Sequence, residues 1–319
     1  MLEGSNVLVS GGAGFIGSHL VDRLIEEKPK NIVVVDNLFL GKPENLEKAK
    51  QRFPGLKLYV RDLTIMPTTE EIVRQEKIDI VYDLATIPLP TSYVHPTYTY
   101  QNNVNIVLNF CELLRKEVFK FYVHASSSEA LGSALSIPMS ENHPLNPTTT
   151  YGASKAAQDL CIQAFDRMYD IPYFIFRPFN NFGPRQNEGS YAALIPTTIL
   201  KILRGERPVI HGDGMQTREF IYVKDTVDAV IRLSKKNECL KKIINVARGE
   251  EFRVSYVVNL ICKIMGYDGP IDFGPARPND VRRHLADISL MKSIIYFKPT
   301  PFERAIPDVV AWYKGRFTR

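Results

Sequence analysis

Short runs of apolar residues alternate with helical patterns through the first half of the chain. Each run is rich in β-branched residues and nearly continuous, which is typical of strands that are buried on both faces. The amphipathic pattern at 14–27 directly follows the first run. Strands alternating with helices predict a doubly wound, parallel α/β sheet. The predicted strands are 6–10, 31–37, 56–62, 78–85, 119–127 and 172–178.

The pattern changes after about residue 178, where Pro and Gly become frequent between shorter helical segments. We therefore predict a domain at 1–178 and a smaller lobe at 179–319, with the chain crossing between them. Ligands of open α/β sheets bind beyond the carboxyl ends of the strands, so we expect a cleft between the two lobes. Helices of the second half are predicted at 193–204, 225–236, 255–265 and 302–314.

The segment "SGGAGFIGSHL" lies between the first strand and the first helix. Gly12, Gly14 and Gly17 give the spacing G-x-G-x-x-G, which permits a tight turn and brings backbone N–H groups towards a pyrophosphate. A glycine-rich turn that binds nothing is the simpler alternative, but the strand, turn and helix follow in the order of a Rossmann-type nucleotide site. We expect the cofactor to contact Gly11, Gly14, Phe15, Ile16 and Gly17.

An acidic residue ends the second predicted strand. Asp36 follows Gly17 by 19 residues, where a carboxylate accepts hydrogen bonds from ribose hydroxyls and repels a 2′-phosphate. This favours NAD over NADP. Asp62, at the end of the third strand, is a candidate for the adenine amino group, although on its own it would first be interpreted as an ordinary strand-end cap. The remaining predicted cofactor contacts are Asn37, Leu63, Leu84, Ala85, Asn103, Tyr151 and Lys155.

Composition excludes several classes of protein. The 319 residues carry a formal net charge of +5 without a Lys/Arg block, so nucleic acid is not an expected partner. The four cysteines lie among apolar residues without metal-ligand spacing, which predicts reduced thiols and no metal site. The chain shows no signal-peptide pattern and no apolar run of the roughly 20 residues that a membrane span needs. We expect a cytoplasmic protein that binds no membrane.

Tyr151 and Lys155 lie four residues apart in the helical pattern "YGASKAAQDL", and therefore on one helical face. Lowering the pKa of a tyrosine from about 10 towards neutrality requires about 4 kcal/mol. One cation about 4 Å away, at an effective dielectric constant near 20, supplies energy of that order. The phenolate of Tyr151 could then accept a proton from a substrate hydroxyl while hydride leaves its carbon for NAD⁺.

"GGAGFIG", "SSSEALG" and "YGASK" together resemble the extended short-chain dehydrogenase/reductases, and more narrowly the nucleotide-sugar epimerases and dehydratases. The resemblance covers nearly the whole chain. It implies that Ser127 hydrogen-bonds the sugar 4-hydroxyl and that Asn103 braces the cofactor site. It also implies a homodimer formed through the helices that contain 103–116 and 151–168.

The second half carries further segments of this resemblance: "RPFNNFGPR", "GDGMQTREFIYVKD" and "ARPNDVRRHLADIS". By that resemblance, Asn180 and Arg218 contact the diphosphate of a nucleotide-diphosphate sugar, with a UDP-sugar favoured. Arg277 and Asp280 contact phosphate and ribose, and His211 lies near the base. The chain departs from the family at "DLAT", where H-L-A-A is usual, and at "ALG", where V-Y-G is usual.

Three fates of a 4-keto sugar remain open. Related dehydratases usually carry T-D-E where Ser127, Ser128 and Glu129 stand here, and a serine is a weak acid, so we expect 4-epimerisation first and 4,6-dehydration second. Decarboxylation comes third, because the arginine that related decarboxylases use corresponds to His284.

For Glu129, a catalytic role and a solvated loop carboxylate without a role are equally open. A keto-sugar reductase and a non-catalytic NAD-binding regulator are the remaining alternatives; Asp36 disfavours the first, and Tyr151 with Lys155 and Ser127 disfavours the second.

Overall fold

The structure, a computed structural model, describes residues 2–276 and 283–317. The strands are β1 (Asn6–Ser10), β2 (Asn31–Asp36), β3 (Lys57–Val60), β4 (Ile80–Asp83), β5 (Phe121–Ala125), β6 (Tyr173–Pro178), β7 (Asn180–Phe182), β8 (Val209–His211), β9 (Thr217–Tyr222), β10 (Ile243–Val246), β11 (Glu251–Arg253) and β12 (Asp272–Gly274). The α-helices are α1 (Phe15–Leu24), α2 (Glu47–Arg52), α3 (Met66–Gln75), α4 (Leu89–Ser92), α5 (Pro96–Arg115), α6 (Thr150–Tyr169), α7 (Leu194–Leu203), α8 (Val223–Ser234), α9 (Val254–Met265), α10 (Ser289–Ile294) and α11 (Phe302–Phe317).

Seven strands form a parallel sheet in the order β10-β6-β5-β4-β1-β2-β3. This confirms the predicted doubly wound Rossmann-type fold, and the six predicted strands all lie in the sheet. The seventh strand, β10, was missed, although its sequence "IINV" is β-branched. Strand order reverses beside β1, and the carboxyl ends of β1 and β4 therefore border the crevice in which such sheets bind ligands.

The two faces of the large sheet are buried against different helices. On one face, Val7 and Val9 of β1 pack in a core with Leu20 of α1 and Val230 of α8. On the other, Leu8 packs in a core with residues of α5 that include Val107 and Phe110. Successive strand residues point to opposite faces. Burial on both faces therefore requires the continuous apolar runs seen in the sequence.

Part of the second half of the chain forms a smaller lobe around its own aromatic core, whereas β10 and α8 belong to the large sheet and its core. β9 lies between β11 and β7 in a three-stranded sheet, and β12 pairs with β8. Phe182, Phe220 and Phe302 pack together with apolar residues of α7, α9 and α11. The predicted helices of this half correspond to α7, α8, α9 and α11. Across the described ranges, no helix combines the length and the apolarity that crossing a bilayer requires.

Candidate active site

The turn between β1 and α1 approaches neighbouring backbone so closely that side chains do not fit. Gly11 has a φ of +64°, and a Cβ there would lie 2.9 Å from the Cα of Ala85. A Cβ on Gly17 would lie 2.8 Å from the Cα of Gly12. Gly14 is the N-cap residue of α1 and supplies no side-chain cap. The first N–H groups of this helix therefore face the cleft, where they fit an anionic pyrophosphate.

Acidic side chains lie at the ends of the two strands beyond β1. Asp36 is 7% exposed, and its carboxylate accepts N–H bonds from Ala13 (3.0 Å) and Leu38 (2.8 Å). Burial raises its pKa, and these two donors act in the opposite direction. A carboxylate has about four acceptor sites, so two remain for ribose hydroxyls. Asp62 accepts from the backbone N–H and the hydroxyl of Thr64, and it lines the same cleft.

The predicted cofactor residues meet in one cleft of about 1040 Å³. A volume of this size is at the upper end of ligand sites. Asn103 is different: its side chain is fully buried and is not part of the lining. It accepts from the N–H of Ile87 (2.7 Å) and donates to the hydroxyl of Ser154 (3.0 Å). Asn103 thus braces the loop after β4 against α6. The predicted cofactor residues in the lining are Gly11, Gly14, Phe15, Ile16, Gly17, Asp36, Asn37, Asp62, Leu63, Leu84, Ala85, Tyr151 and Lys155.

Tyr151 and Lys155 lie in the first two turns of α6 and face the cleft. Thr149 caps the helix by accepting from the N–H of Gly152 (3.0 Å). A Cβ on Gly152 would lie 2.5 Å from the carbonyl oxygen of Glu129, so this glycine lets α6 approach the turn that follows β5. Lys155 is 2% exposed, and its ammonium group donates to the carbonyl of Ala125 (2.9 Å).

The pKa of Tyr151 differs from the sequence-based expectation. Burial raises it to about 12, and a side-chain hydrogen bond with Ser127 opposes this shift. The charge of Glu129 raises it further. Our expectation of a phenol pKa near neutrality is therefore wrong for the protein alone, because burial dominates the shift. Lys155 itself has a pKa lowered by burial to about 8, although the charges of Asp83 and Asp159 act to raise it.

The segment after β5 brings its serines and its glutamate to the cleft wall. Ser127 caps the single 3₁₀ turn Ser128–Ala130 by accepting from the N–H of Glu129 (3.2 Å). Ser127, Ser128 and Glu129 all line the cleft. Burial raises the pKa of Glu129, and the charge of Arg218 opposes this. Glu129 is therefore half-buried beside the predicted catalytic tyrosine, whereas a solvated loop carboxylate was the alternative.

The smaller lobe supplies a further part of the cleft lining. Asn180, His211 and Arg218 all line it. The side chain of Asn180 donates to the carbonyl of Glu219 (3.1 Å), and a guanidinium nitrogen of Arg218 donates to the carbonyl of Thr217 (2.7 Å). The remaining predicted substrate residues, Arg277 and Asp280, lie outside the described residues.

A model of the NAD-dependent epimerase/dehydratase family matches residues 7–247. The chain belongs to that family. A protein of Methanocaldococcus jannaschii, provisionally named UDP-glucose 4-epimerase, is 34% identical over 97% of this chain and 98% of its own length. UDP-glucuronic acid decarboxylase 3 of Arabidopsis thaliana is 32% identical over 92% of this chain and 84% of its own length.

Among solved structures, UDP-N-acetylglucosamine 4-epimerase from Methanobrevibacter ruminantium M1, in complex with UDP-N-acetylmuramic acid, superposes with a TM-score of 0.90. It is 35% identical and covers 99% of this chain and 100% of its own. The predicted family, the enzyme class and the cofactor NAD are thus confirmed. The glycine turn, the free N-terminus of α1 and the carboxylate of Asp36 fit that cofactor.

This epimerase/dehydratase also has site residues to which the sequence analysis gave no substrate role. His284 lines the cleft, is 5% exposed and packs its ring against Phe179 with centroids 4.9 Å apart. Burial, with the charges of Arg218 and His143, lowers its pKa to about 4. Its ring is therefore neutral at physiological pH. The only signal in the sequence was its position in "ARPNDVRRHLADIS", next to segments with substrate candidates.

A second missed residue acts behind the cleft wall. Glu219 is fully buried next to Arg218, and its carboxylate accepts from the N–H groups of Gly249 and Ala286, the latter at 2.7 Å. Burial raises its pKa to about 7, against these donors and that of Arg248. These hydrogen bonds connect β9 to the segment that contains His284. The sequence around Glu219, an acidic residue between an arginine and a phenylalanine, does not indicate such a structural role.

Proposed function

We propose that the protein oxidises a UDP-sugar at C4 transiently and returns the hydride to the opposite face, as a UDP-sugar 4-epimerase. The observation that carries this proposal is the convergence of Tyr151, Ser127 and Lys155 on one cleft wall beside the glycine turn. The naming of two similar proteins as 4-epimerases supports the choice of reaction. Asn180 and Arg218, which line the same cleft, are proposed to hold the diphosphate, because a guanidinium group suits phosphate oxygens.

Ser127, Tyr151 and Lys155 each have a defined role in this proposal. NAD⁺, when bound, supplies the hydride acceptor and an added positive charge. Ser127 orients the sugar 4-hydroxyl, and Tyr151 accepts its proton as the C4–H bond breaks. Lys155 stabilises the phenolate, whose pKa of about 12 in the protein alone must fall for this step.

Other residues of the cleft disfavour the competing outcomes. Elimination of water requires an acid for the leaving C6 oxygen, and Ser128 is a poor one. Decarboxylation requires a C6 carboxylate in the pocket, and the neutral ring of His284 supplies no permanent positive charge for it. Epimerisation requires neither group, since the 4-keto sugar only has to turn over.

The reaction is tested by incubating the protein with NAD⁺ and a panel of UDP-, GDP- and dTDP-sugars in D₂O, with products identified by NMR. A 4-epimerase returns its own hydride, so we expect a C4-inverted UDP-sugar without deuterium. Deuterium at C5 would refute epimerisation as the sole reaction. The roles of Tyr151 and Glu129 are then tested by substitution.

Tyr151→Phe removes the proposed base. We expect at least a 100-fold loss of kcat, since general acid–base groups contribute about 10²–10⁴-fold. Tyr82→Phe is the matched control: Tyr82 is also buried, and its hydroxyl lies 2.7 Å from that of Ser234 on the α8 side of the sheet. Equal activity of Tyr151→Phe and Tyr82→Phe on every active sugar nucleotide would contradict a catalytic role for Tyr151.

A specific observation keeps 4,6-dehydration as the second candidate. Glu129 lines the cleft with a raised pKa, as a base for the C5 proton would. Glu129→Gln distinguishes the two reactions. A large loss of activity together with C5 deuteration in the parent supports elimination, whereas near-parent activity supports epimerisation.

We further propose a homodimer formed through α5 and α6. Leu108 of α5 and Leu160 and Met168 of α6 are 38%, 50% and 68% exposed, which leaves apolar surface on both helices. Light scattering should give twice the chain mass for the parent and a lower mass for Leu160→Lys; an unchanged dimer in that variant would place the interface elsewhere.

A cytoplasmic location, proposed from the four free cysteines, is checked by cell fractionation.

A further inference from the structure

A buried carboxylate lies beneath the strand ends that carry the active site. Asp83, the last residue of β4, is 1% exposed. Its Oδ1 accepts from the hydroxyl of Ser10 (2.5 Å), and its Oδ2 accepts from Tyr122 (2.6 Å) and from Nδ1 of His124 (3.1 Å). Three donors fix the carboxylate in one orientation. It is also the first residue of "DLAT", where the family that the sequence resembles usually has H-L-A-A.

The strand register places this carboxylate near Lys155. Asp83 is paired with His124 on the neighbouring strand β5, and the next residue on β5, Ala125, accepts the ammonium group of Lys155 at 2.9 Å. Tyr122 and His124 both bond Asp83, so their side chains lie on one face of the sheet, and Tyr122 packs against Phe110 of α5 on that face. α6, which carries Lys155, packs against α5. Asp83 and Lys155 therefore share one buried layer between the sheet and these helices.

We propose that Asp83 is a positioning residue of the active site, whose buried carboxylate is the fixed counter-charge of the Lys155 ammonium group. It acts through Lys155, which in turn stabilises the phenolate of Tyr151. The consequence for catalysis rests on the proposed function, whereas the pairing of the two charges does not.

The other titratable groups around Lys155 are already engaged. On α6, Asp159 accepts from the hydroxyl of Ser126 (2.7 Å) and from the guanidinium group of Arg177 on β6 (2.9 Å), so its charge is matched by that arginine. Tyr151, also on α6, is protonated in the protein alone, since its pKa is about 12. On β5, His124 lies with Nδ1 towards Asp83, and Tyr122 donates to Asp83. On α5, the buried thiol of Cys111 is hydrogen-bonded with Cys161 of α6.

The ionisation states agree with this pairing. Burial raises the pKa of Asp83, but bonds from His124, Ser10 and Tyr122 outweigh that effect, so the net shift is downwards and the carboxylate is charged. Among the charges that raise the pKa of Lys155 against the effect of burial, that of Asp83 has the largest effect. Removing the carboxylate should lower the pKa of Lys155, because its cation would lose the opposite charge while remaining desolvated.

The test measures the titration of Lys155 directly, with no substrate. The protein is labelled with [¹³Cε]lysine, the Lys155 signal is assigned by its loss in Lys155→Met, and its chemical shift is followed with pH. We expect a midpoint near pH 8 in the parent and a fall of about 1 unit in Asp83→Asn. Asp79→Asn is the matched control, since Asp79 lies just before β4 at the opposite end of the sheet and pairs with Lys120 at the surface; its midpoint should equal that of the parent.

Asp83→His, which introduces the residue common in the related sequences, provides a second variant without the carboxylate and should shift the midpoint in the same direction. An unchanged midpoint in either folded variant, or an equal shift in Asp79→Asn, overturns the proposal. Failure of both Asp83 variants to fold would assign Asp83 to stability alone and would overturn it as well.

A second readout connects Asp83 to catalysis. If C4 oxidation is the reaction, activity is lost as pH rises through the pKa of Lys155, and in Asp83→Asn this alkaline limb should move to lower pH by the same amount as the NMR midpoint. A parent protein without activity on any sugar nucleotide would refute the proposed function, while the NMR midpoints would still decide the role of Asp83.

Discussion

The glycine turn should tolerate no added methyl group at Gly17. A Cβ there would lie 2.8 Å from the Cα of Gly12, and closer still to the carbonyl oxygen of Gly11. Ordinary contact begins at 3.4 Å, so the turn and the helix must separate by at least about 0.6 Å. An N–H group that bonds a phosphate oxygen at about 2.9 Å would then lie at the limit of hydrogen bonding.

The expected cost of Gly17→Ala is the loss of one charge-assisted hydrogen bond, about 2 kcal/mol, which is roughly a 30-fold increase in the Kd for NAD⁺. Isothermal titration calorimetry with the cofactor measures it. Gly315→Ala is the matched control, because Gly315 also lies in a helix, α11, and a Cβ there meets nothing within 4 Å. Alanine favours helix formation at both positions by up to about 1 kcal/mol, so thermal stability alone does not discriminate between the variants.

A Kd for Gly17→Ala within threefold of both the parent and Gly315→Ala would refute this reasoning. It would mean that the turn relaxes without losing its contacts with the cofactor, or that the cofactor is held by other parts of the cleft. A loss of affinity in both variants would point to a general effect of helix substitution rather than to the contact between the turn and α1.

Two further predictions concern buried polar groups. Asn103→Ala should lower the free energy of unfolding by about 2–3 kcal/mol, because it leaves the buried N–H of Ile87 without its acceptor; urea unfolding measures this, and an equal effect of Asn105→Ala, an exposed position on the same helix, would contradict it. Glu219→Gln should gain about 3 kcal/mol of stability relative to the parent as pH rises from 4.5 to about 7. The sign follows from the raised pKa: the folded parent binds the proton more tightly than the unfolded chain, so it loses stability as that proton leaves. A stability difference that does not change with pH would show that Glu219 titrates normally.

The large sheet could be predicted from the sequence because burial of a strand on both faces leaves a local pattern, a continuous apolar run. Strands such as "NVLVS" are buried on both faces, so they are apolar throughout, and Gly17 and Asp36 lie at spacings that one turn and one strand determine. β10 was missed because its four residues lie in the second half of the chain, far in sequence from β6, with which it pairs, and outside the alternating strand–helix pattern of the first half. The short strands of the smaller lobe are half-buried and surrounded by Pro and Gly, so they lack that pattern.

The site could be predicted from the sequence only where the residue types and their spacing indicate a chemical role. Tyr151 and Lys155 could be paired from their spacing on a helix, but the pKa of Tyr151 depends on burial by segments that are distant in the sequence. Asp83 stood out only as a departure from related sequences, and its bonds to Ser10 and Tyr122 require the order of three strands. Glu219 and His284 likewise depend on how the second lobe folds back against the first.

The position of β10 in the sheet has a consequence for the order in which the chain is synthesised. β6 is complete at Pro178, but its outer neighbour begins at Ile243. Until that strand emerges from the ribosome, β6 presents an unpaired edge that can pair with another chain. Asn245 then also bonds the carbonyls of Met139 and Asp287. We therefore expect that a fragment ending at residue 178 aggregates, and that expression of the nucleotide-binding half alone requires the chain to continue past Val246.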